Sequence, residues 1–244
     1  MRVIPVLDIL KGEVVHGVGG VRSKYRPIVS KVTKSSDPQP VAADLKEAFG
    51  FTEMYVADLD AIQGRGNNLD EVESISGLGY SIYLDEGLGG AGDMMPRLSR
   101  IDHVVIGTET LQSLRELRVA CRLHDSVVVS LDYKGDELIA RDRSLKGLGV
   151  RELVHTLTAT GISEIIYLDL ARVGMGSGVS SSRMETVINS SRLPVIVGGG
   201  IRNASDIERL AKLGADGALV ATSLHTGELT PLEIQRIDAG RMPG

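Results

Sequence analysis

The chain has 244 residues, of which 42% are hydrophobic and 24% charged, with a formal net charge of −5. That is enough chain to bury a full core in one domain spanning 1–244. The acidic balance argues against nucleic-acid or membrane-surface partners, because binding a polyanion needs a basic excess. The single cysteine, Cys121, excludes an internal disulfide and reads as a small buried hydrophobe. No 18-residue apolar run and no basic-then-apolar opening is present, so a cytoplasmic location is expected.

Short, apolar, β-branched runs predict strands near 2–8, 53–58, 80–85, 102–106, 126–132, 163–169, 194–198 and 216–221. Amphipathic spacing predicts helices near 39–49, 68–76, 92–98, 111–123, 149–160, 180–190, 204–213 and 230–236. Asp37-Pro38 opens the first helix, and Ser205-Asp206 opens the seventh. Two insertions interrupt the alternation. Residues 11–36 carry Glu13-Val14-Val15-His16 and then the basic segment 22–27. Residues 133–148 read as a polar hairpin. Strict strand–helix alternation implies parallel βαβ units, and a chain close to the roughly 250 residues typical of a (β/α)8 TIM barrel fits that architecture.

The most informative stretch is Val197-Gly198-Gly199-Gly200-Ile201-Arg202. Glycines that end a strand and feed a helix let backbone N–H groups approach an anion closely, with the helix N-terminus adding positive potential. An altered copy occurs earlier. Gly87 aligns with Gly200 and Asp93 with Asp206, both at an offset of 113 (200−87, 206−93). Asp58 aligns with Asp169 at 111 (169−58), Asp8 with Asp132 at 124 (132−8), and Gly107 with Ala221 at 114 (221−107). Matched strand ends in the same order predict a duplicated half-barrel.

Active sites of such barrels lie at the C-terminal strand ends. Asp8, Asp58, Asp132 and Asp169 all fall there. Carboxylates facing one another in a partly dry mouth hold different pKa values, so one takes a proton while another gives one. The competing reading is that each aspartate caps its own loop. The pairing of Asp8 with Asp132 favours chemistry, with Asp132 or Asp169 supplying the acid. Gly199, Gly200, Arg202, Thr222 and Ser223 form the expected phosphate site, and Asp58, Asp85 and Glu86 the second side of the substrate. The histidines at 16, 103, 124, 155 and 225 share no ligand spacing, so no metal is expected, and no cofactor.

Ile4-Pro5-Val6-Leu7-Asp8-Ile9 with Gly12-Glu13-Val14-Val15 resembles the start of the histidine-biosynthesis ribotide isomerase family. The run Val56–Ala61 with Gly66–Leu69, the run Ser130–Asp132 and the run Gly198–Ile201 are similar to that isomerase and to the related cyclase subunit of imidazole-glycerol-phosphate synthase. The resemblance implies an Amadori rearrangement of a ligand with two phosphates, with a strand-one aspartate as base and an acid after strand six. Asp8 matches the base and Asp132 a supporting carboxylate. A glutaminase partner like that of the cyclase has no motif to support it, so any partner subunit is unknown.

Three departures point to a changed substrate. Val173-Gly174-Met175 stands where the family has Asp-Gly-Thr, so the expected acid is an apolar side chain. Leu168 replaces a threonine on strand six. Asp85-Glu86-Gly87 stands where the isomerase has three glycines, and like charges ~4 Å apart repel by roughly 1–4 kcal/mol near a protein surface. Strand eight also ends in Ala221-Thr222-Ser223, leaving hydroxyls for an anion. The expected activity is acid–base isomerisation or ring-opening of one phosphorylated small molecule other than the histidine-pathway ribotide. A phosphate-handling lyase or cyclase, and a non-catalytic phosphometabolite- or partner-binding paralogue, are the alternatives.

Overall fold

Eight parallel strands follow one another around a closed ring. They are β1 (Arg2–Leu10), β2 (Glu53–Asp58), β3 (Ser81–Asp85), β4 (His103–Gly107), β5 (Val127–Lys134), β6 (Glu164–Asp169), β7 (Val195–Gly198) and β8 (Gly217–Val220). Each pairs in parallel with the next, and β8 returns to β1 through Arg2↔Gly217 to Pro5↔Val220. The computed structural model describes residues 1–94, 101–175, 178 and 181–239. Helices α1 (Pro38–Phe49), α2 (Leu69–Ser76), α3 (Ala91–Met94), α4 (Leu114–Leu123), α5 (Val150–Thr158), α6 (Ser182–Ser190), α7 (Ala204–Leu213) and α8 (Pro231–Ala239) lie between and after the strands. The fold is a (β/α)8 barrel.

Strand positions agree with the sequence-based expectation to within one or two residues. The third helix was expected over 92–98; its described part is Ala91–Met94, and the remainder lies outside the described residues. Short helices at Leu59–Ile62 and Thr222–Thr226 were not expected. Each is a single turn, too brief for hydrophobic periodicity to register. The cap of α7 is Asn203, whose side chain accepts from the Asp206 N–H, rather than Ser205.

Side chains alternate across every strand, and the two faces have different company. Ile4, Tyr55, Tyr83, Val105, Val128, Ile166, Ile196 and Leu219, one from each strand, fill the barrel interior as one cluster. Their neighbours in sequence, such as Val3, Met54, Leu84, Ile106, Val129, Ile165, Val197 and Ala218, pack outward against the helices. Burying each large aliphatic contributes roughly 1.5–3 kcal/mol before entropy is counted. The floor of the barrel is polar. Arg2 pairs with Glu53 at 3.0 Å and Glu164 at 3.1 Å, and donates to Tyr83 Oη at 2.8 Å. His103 stacks on the Tyr83 ring at 4.0 Å.

The two halves share local bonds. Gly89 N–H donates to Asp93 Oδ2 at 2.9 Å, and Arg202 N–H donates to Asp206 Oδ2 at 3.0 Å. Likewise, Ile82 N–H donates to Asp102 Oδ2 at 3.0 Å, and Val195 N–H donates to Asp216 Oδ2 at 2.9 Å.

The first insertion folds back as an antiparallel hairpin, Glu13–His16 on β1, with Arg26–Pro27 added at its edge. It then runs over the mouth. The second insertion turns Tyr133-Lys134 back onto Glu137-Leu138, the expected hairpin.

Candidate active site

A cavity of about 260 Å³ opens at the C-terminal ends of the strands. Strand alternation decides which end residues reach it. Position 8 shares the face of Ile4, position 85 that of Tyr83, and position 132 that of Val128, so Asp8, Asp85 and Asp132 all line the cavity. Asp58 and Asp169 fall on the opposite phase, beside Met54 and Ile165, and are not among its lining residues.

Asp132 is held by Ser130 Oγ, which donates to Oδ1 at 2.6 Å, and by the Glu109 N–H, which donates to Oδ2 at 3.3 Å. Gly107 leaves room for this carboxylate: a Cβ there would stand 2.7 Å from Asp132 Oδ2. Burial pushes the Asp132 carboxyl up to about 8, with Asp85 and Glu109 adding to the rise and the Ser130 bond opposing it. Asp8 is pushed up to about 7 by burial and by Asp85, against the pull of Arg22. Asp85 is pushed up to about 6 by burial, against the Gly87 N–H at 3.1 Å and the Tyr55 hydroxyl at 2.9 Å, both of which donate to it. Three carboxyls straddling neutrality around one cavity can exchange protons with a bound molecule.

The remaining lining is mixed. Arg22, from the first insertion, pairs with Glu109 after β4 at 3.0 Å, and both face the cavity. Lys134, His16 and His225 also line it. Burial, with His16 adding to it, pushes His225 down to about 4, and its Nδ1 lies 2.9 Å from Ser30 Oγ. Leu168 and Val173 present apolar surface where the family resemblance implies hydroxyl and carboxyl groups.

The turn after β7 forms one rim. Gly199 and Gly200 have φ of +97° and +81°, and a Cβ on Gly199 would stand 2.6 Å from the Asp169 carbonyl oxygen. Only glycine fits there. Gly199, Gly200, Ile201, Ala221 and Thr222 all line the cavity, and the Gly200 and Ile201 N–H groups have no partner among the described residues. The N–H of Thr222 opens a helix, where intrahelical partners are lacking by construction.

Several expected site residues are placed elsewhere. Asp169 binds Arg172 Nε at 3.0 Å and accepts from the Ala171 N–H at 3.1 Å. It braces the loop after β6 and is not among the residues lining the cavity, where it was expected as an acid. Asp58 is fully buried and accepts from the N–H groups of Asp60, Ala61 and Asn68 and from Asn68 Nδ2. Asn68 Oδ1 in turn accepts from the Gly12 N–H, so this cluster ties β2 to the tip of the first hairpin, and Asp58, expected on the second side of the substrate, is not among the residues lining the cavity. Arg202 turns away from the cavity onto Asp206, donating from Nε and Nη2 at 2.9 Å each. Ser223 is buried with its Oγ unpartnered among the described residues, and Glu86 is buried; neither lines the cavity. Asp85, assigned to the second side of the substrate, shares the cavity with Asp8 and Asp132. Tyr55, Arg22, Glu109, Lys134, His16 and His225 were not expected. Asp85 closes β3 on the face of Tyr83 and was legible from alternation along that strand; Tyr55 lies on the face opposite to Asp58, and the loop residues carry no such signal.

The profile of the histidine biosynthesis protein family matches residues 2–230. The chain belongs to that family. An uncharacterized protein of Methanocaldococcus jannaschii is 33% identical over 237 residues, covering 96% of this chain and 97% of its own. The 1-(5-phosphoribosyl)-5-((5-phosphoribosylamino)methylideneamino)imidazole-4-carboxamide isomerase of Natronomonas pharaonis is 32% identical over 234 residues, covering 94% and 95%. The enzyme of the same name from Acetivibrio thermocellus is 30% identical over 241 residues, covering 94% and 96%. Among the described residues no helix is long and apolar enough to cross a membrane.

Proposed function

We propose that this family member performs acid–base isomerisation or ring-opening of a phosphorylated small molecule other than the histidine-pathway ribotide. The observation that carries this reading is the meeting of Asp8 and Asp132 with the Gly199–Gly200 turn in one cavity. Asp8 serves as general base and Asp132 as general acid, both carboxyls being pushed up towards neutrality by burial. The N–H groups of Gly200, Ile201 and Thr222, without a side-chain or loop partner among the described residues, take the phosphate. Repeated capping bonds at equivalent turns support a duplicated half-barrel as the origin of the fold.

The ribotide is disfavoured on two counts. Its two phosphates need two anion sites, and the turn after β3 carries Asp85 instead of a free glycine N–H. Val173 also lines the cavity where the resemblance implies an acid. General acid catalysis is worth roughly 10²–10⁴-fold, so loss of the acid leaves little turnover. Growth of a strain lacking the ribotide isomerase, carrying this protein in its place, tests the reading. No growth is expected; growth with purified activity within about tenfold of an ordinary enzyme overturns it.

A further inference from the structure

The turns after β3 and β7 stand four strands apart in an eight-strand ring and thus across the cavity from each other. They present opposite polarity. At β7 the N–H groups of Gly200 and Ile201 have no partner among the described residues, whereas at β3 the Gly87 N–H is consumed by Asp85 Oδ1. Tyr55 Oη fixes the second Asp85 oxygen at 2.9 Å, and Tyr55 is itself buried in the barrel. Asp85 is therefore held rigidly on the cavity wall.

Charge balance sharpens the contrast. The ionisable side chains lining the cavity, besides two histidines and two tyrosines, are Asp8, Asp85, Glu109 and Asp132 against Arg22 and Lys134. Arg22 is committed to Glu109. A phosphate entering alone adds negative charge to a cavity already short of cations, and a second phosphate adds more. The carboxylates also do not converge on one point: among the described residues no three His, Cys, Asp or Glu side chains are grouped closely enough to hold a metal ion. A spread of carboxylates suits an extended organic cation better than an inorganic one.

We propose that the β3 side of the cavity, through Asp85 as fixed by Tyr55, selects a ligand bearing a protonated amine or amidine opposite its phosphate. The phosphate half of this statement rests on the function proposed above; the cationic half rests on Asp85, Tyr55 and the charge of the cavity.

Titration calorimetry with ω-aminoalkyl phosphates and ω-hydroxyalkyl phosphates of equal chain length tests both halves. At the length that spans the cavity, the amino compound is expected to bind about tenfold tighter than its hydroxyl twin or better. Asp85→Asn should bring the pair to within about twofold, with inorganic phosphate binding retained or strengthened. Tyr55→Phe keeps the carboxylate but frees it, so the preference should shrink without vanishing; this variant also serves if Asp85→Asn fails to fold. Equal binding of the twins at every length, or a preference that survives Asp85→Asn, overturns the proposal. So does Mg²⁺ displacing the amino compounds from this site. If neither inorganic phosphate nor any phosphate ester binds, the phosphate reading fails separately. Alkylamines and amidines alone then decide the cationic half: binding that Asp85→Asn abolishes supports it, and no binding overturns it.

Discussion

The turns after β3 and β7 come from aligned segments, close the same cavity and share the same capping bond from the following helix. One keeps its glycines, with N–H groups that have no partner among the described residues; the other has carboxylates at two of those positions and spends the Gly87 N–H on Asp85. The capping bond of the two turns is thus preserved while the polar groups they present differ. Binding chemistry in this fold sits in a few turn residues, and the capping aspartate that holds the turn to its helix is independent of it.

The largest expected effect lies between the two turns. Asp8→Asn should lower turnover of the eventual substrate by about 10²–10⁴-fold, leaving inorganic phosphate affinity and the circular dichroism spectrum nearly unchanged. Loss of folding, or an intact rate, breaks the catalytic reading of the cavity. Gly199→Ala attacks the β7 turn alone. Its φ of +97° and the carbonyl 2.6 Å from a new Cβ should together destabilise the protein by at least about 1–3 kcal/mol and abolish anion binding, measured by urea unfolding and phosphate titration. Converting the β3 turn to its counterpart, with Asp85→Gly and Glu86→Gly together, should raise affinity for a bisphosphate about tenfold relative to the monophosphate. No change would show that the turns differ by more than these two side chains.

A smaller effect comes from pH. Carboxyls whose folded pKa lies above the unfolded value bind protons more tightly in the folded state. Asp8, Asp85 and Asp132, pushed up to about 7, about 6 and about 8, therefore contribute stability that is fully present below about pH 4 and is lost as pH rises towards 8. The difference in melting temperature between Asp132→Asn and the parent protein should accordingly shift in the variant's favour from pH 5 to pH 8. A flat difference would mean that Asp132 titrates normally. The smallest effect is expected at Arg202→Ala. Its side chain serves Asp206 and not the cavity, so phosphate affinity should stay within about twofold. A large loss would return Arg202 to the anion site.

Much of the barrel was legible because parallel strands covered on both faces read as apolar runs, and helices as amphipathic spacing. The Gly198–Gly200 run and the aspartates at strand ends were legible for the same local reason. What the strand ends alone did not reveal was phase. Asp58 and Asp169 close β2 and β6, whereas Asp8 and Asp132 stand two residues before the ends of β1 and β5, and the alternation turns the first pair to the helix side and the second into the cavity. Asp85 was expected on the second side of the substrate, but its meeting with Asp8 and Asp132 in one cavity depends on strand phase. Arg22 and Glu109 meet across 87 positions in sequence through loops with no periodicity, so nothing local announced their pairing.

The network at the barrel's far end, Arg2 with Glu53, Glu164 and Tyr83 and the His103 ring stacked on it, makes the molecule a cup rather than a tube. A ligand is therefore expected to enter and leave the cavity by the mouth alone, on the side that Arg22 and Glu109 also line. Order of departure then becomes a property of the architecture: whatever lies deepest waits for whatever lies above it.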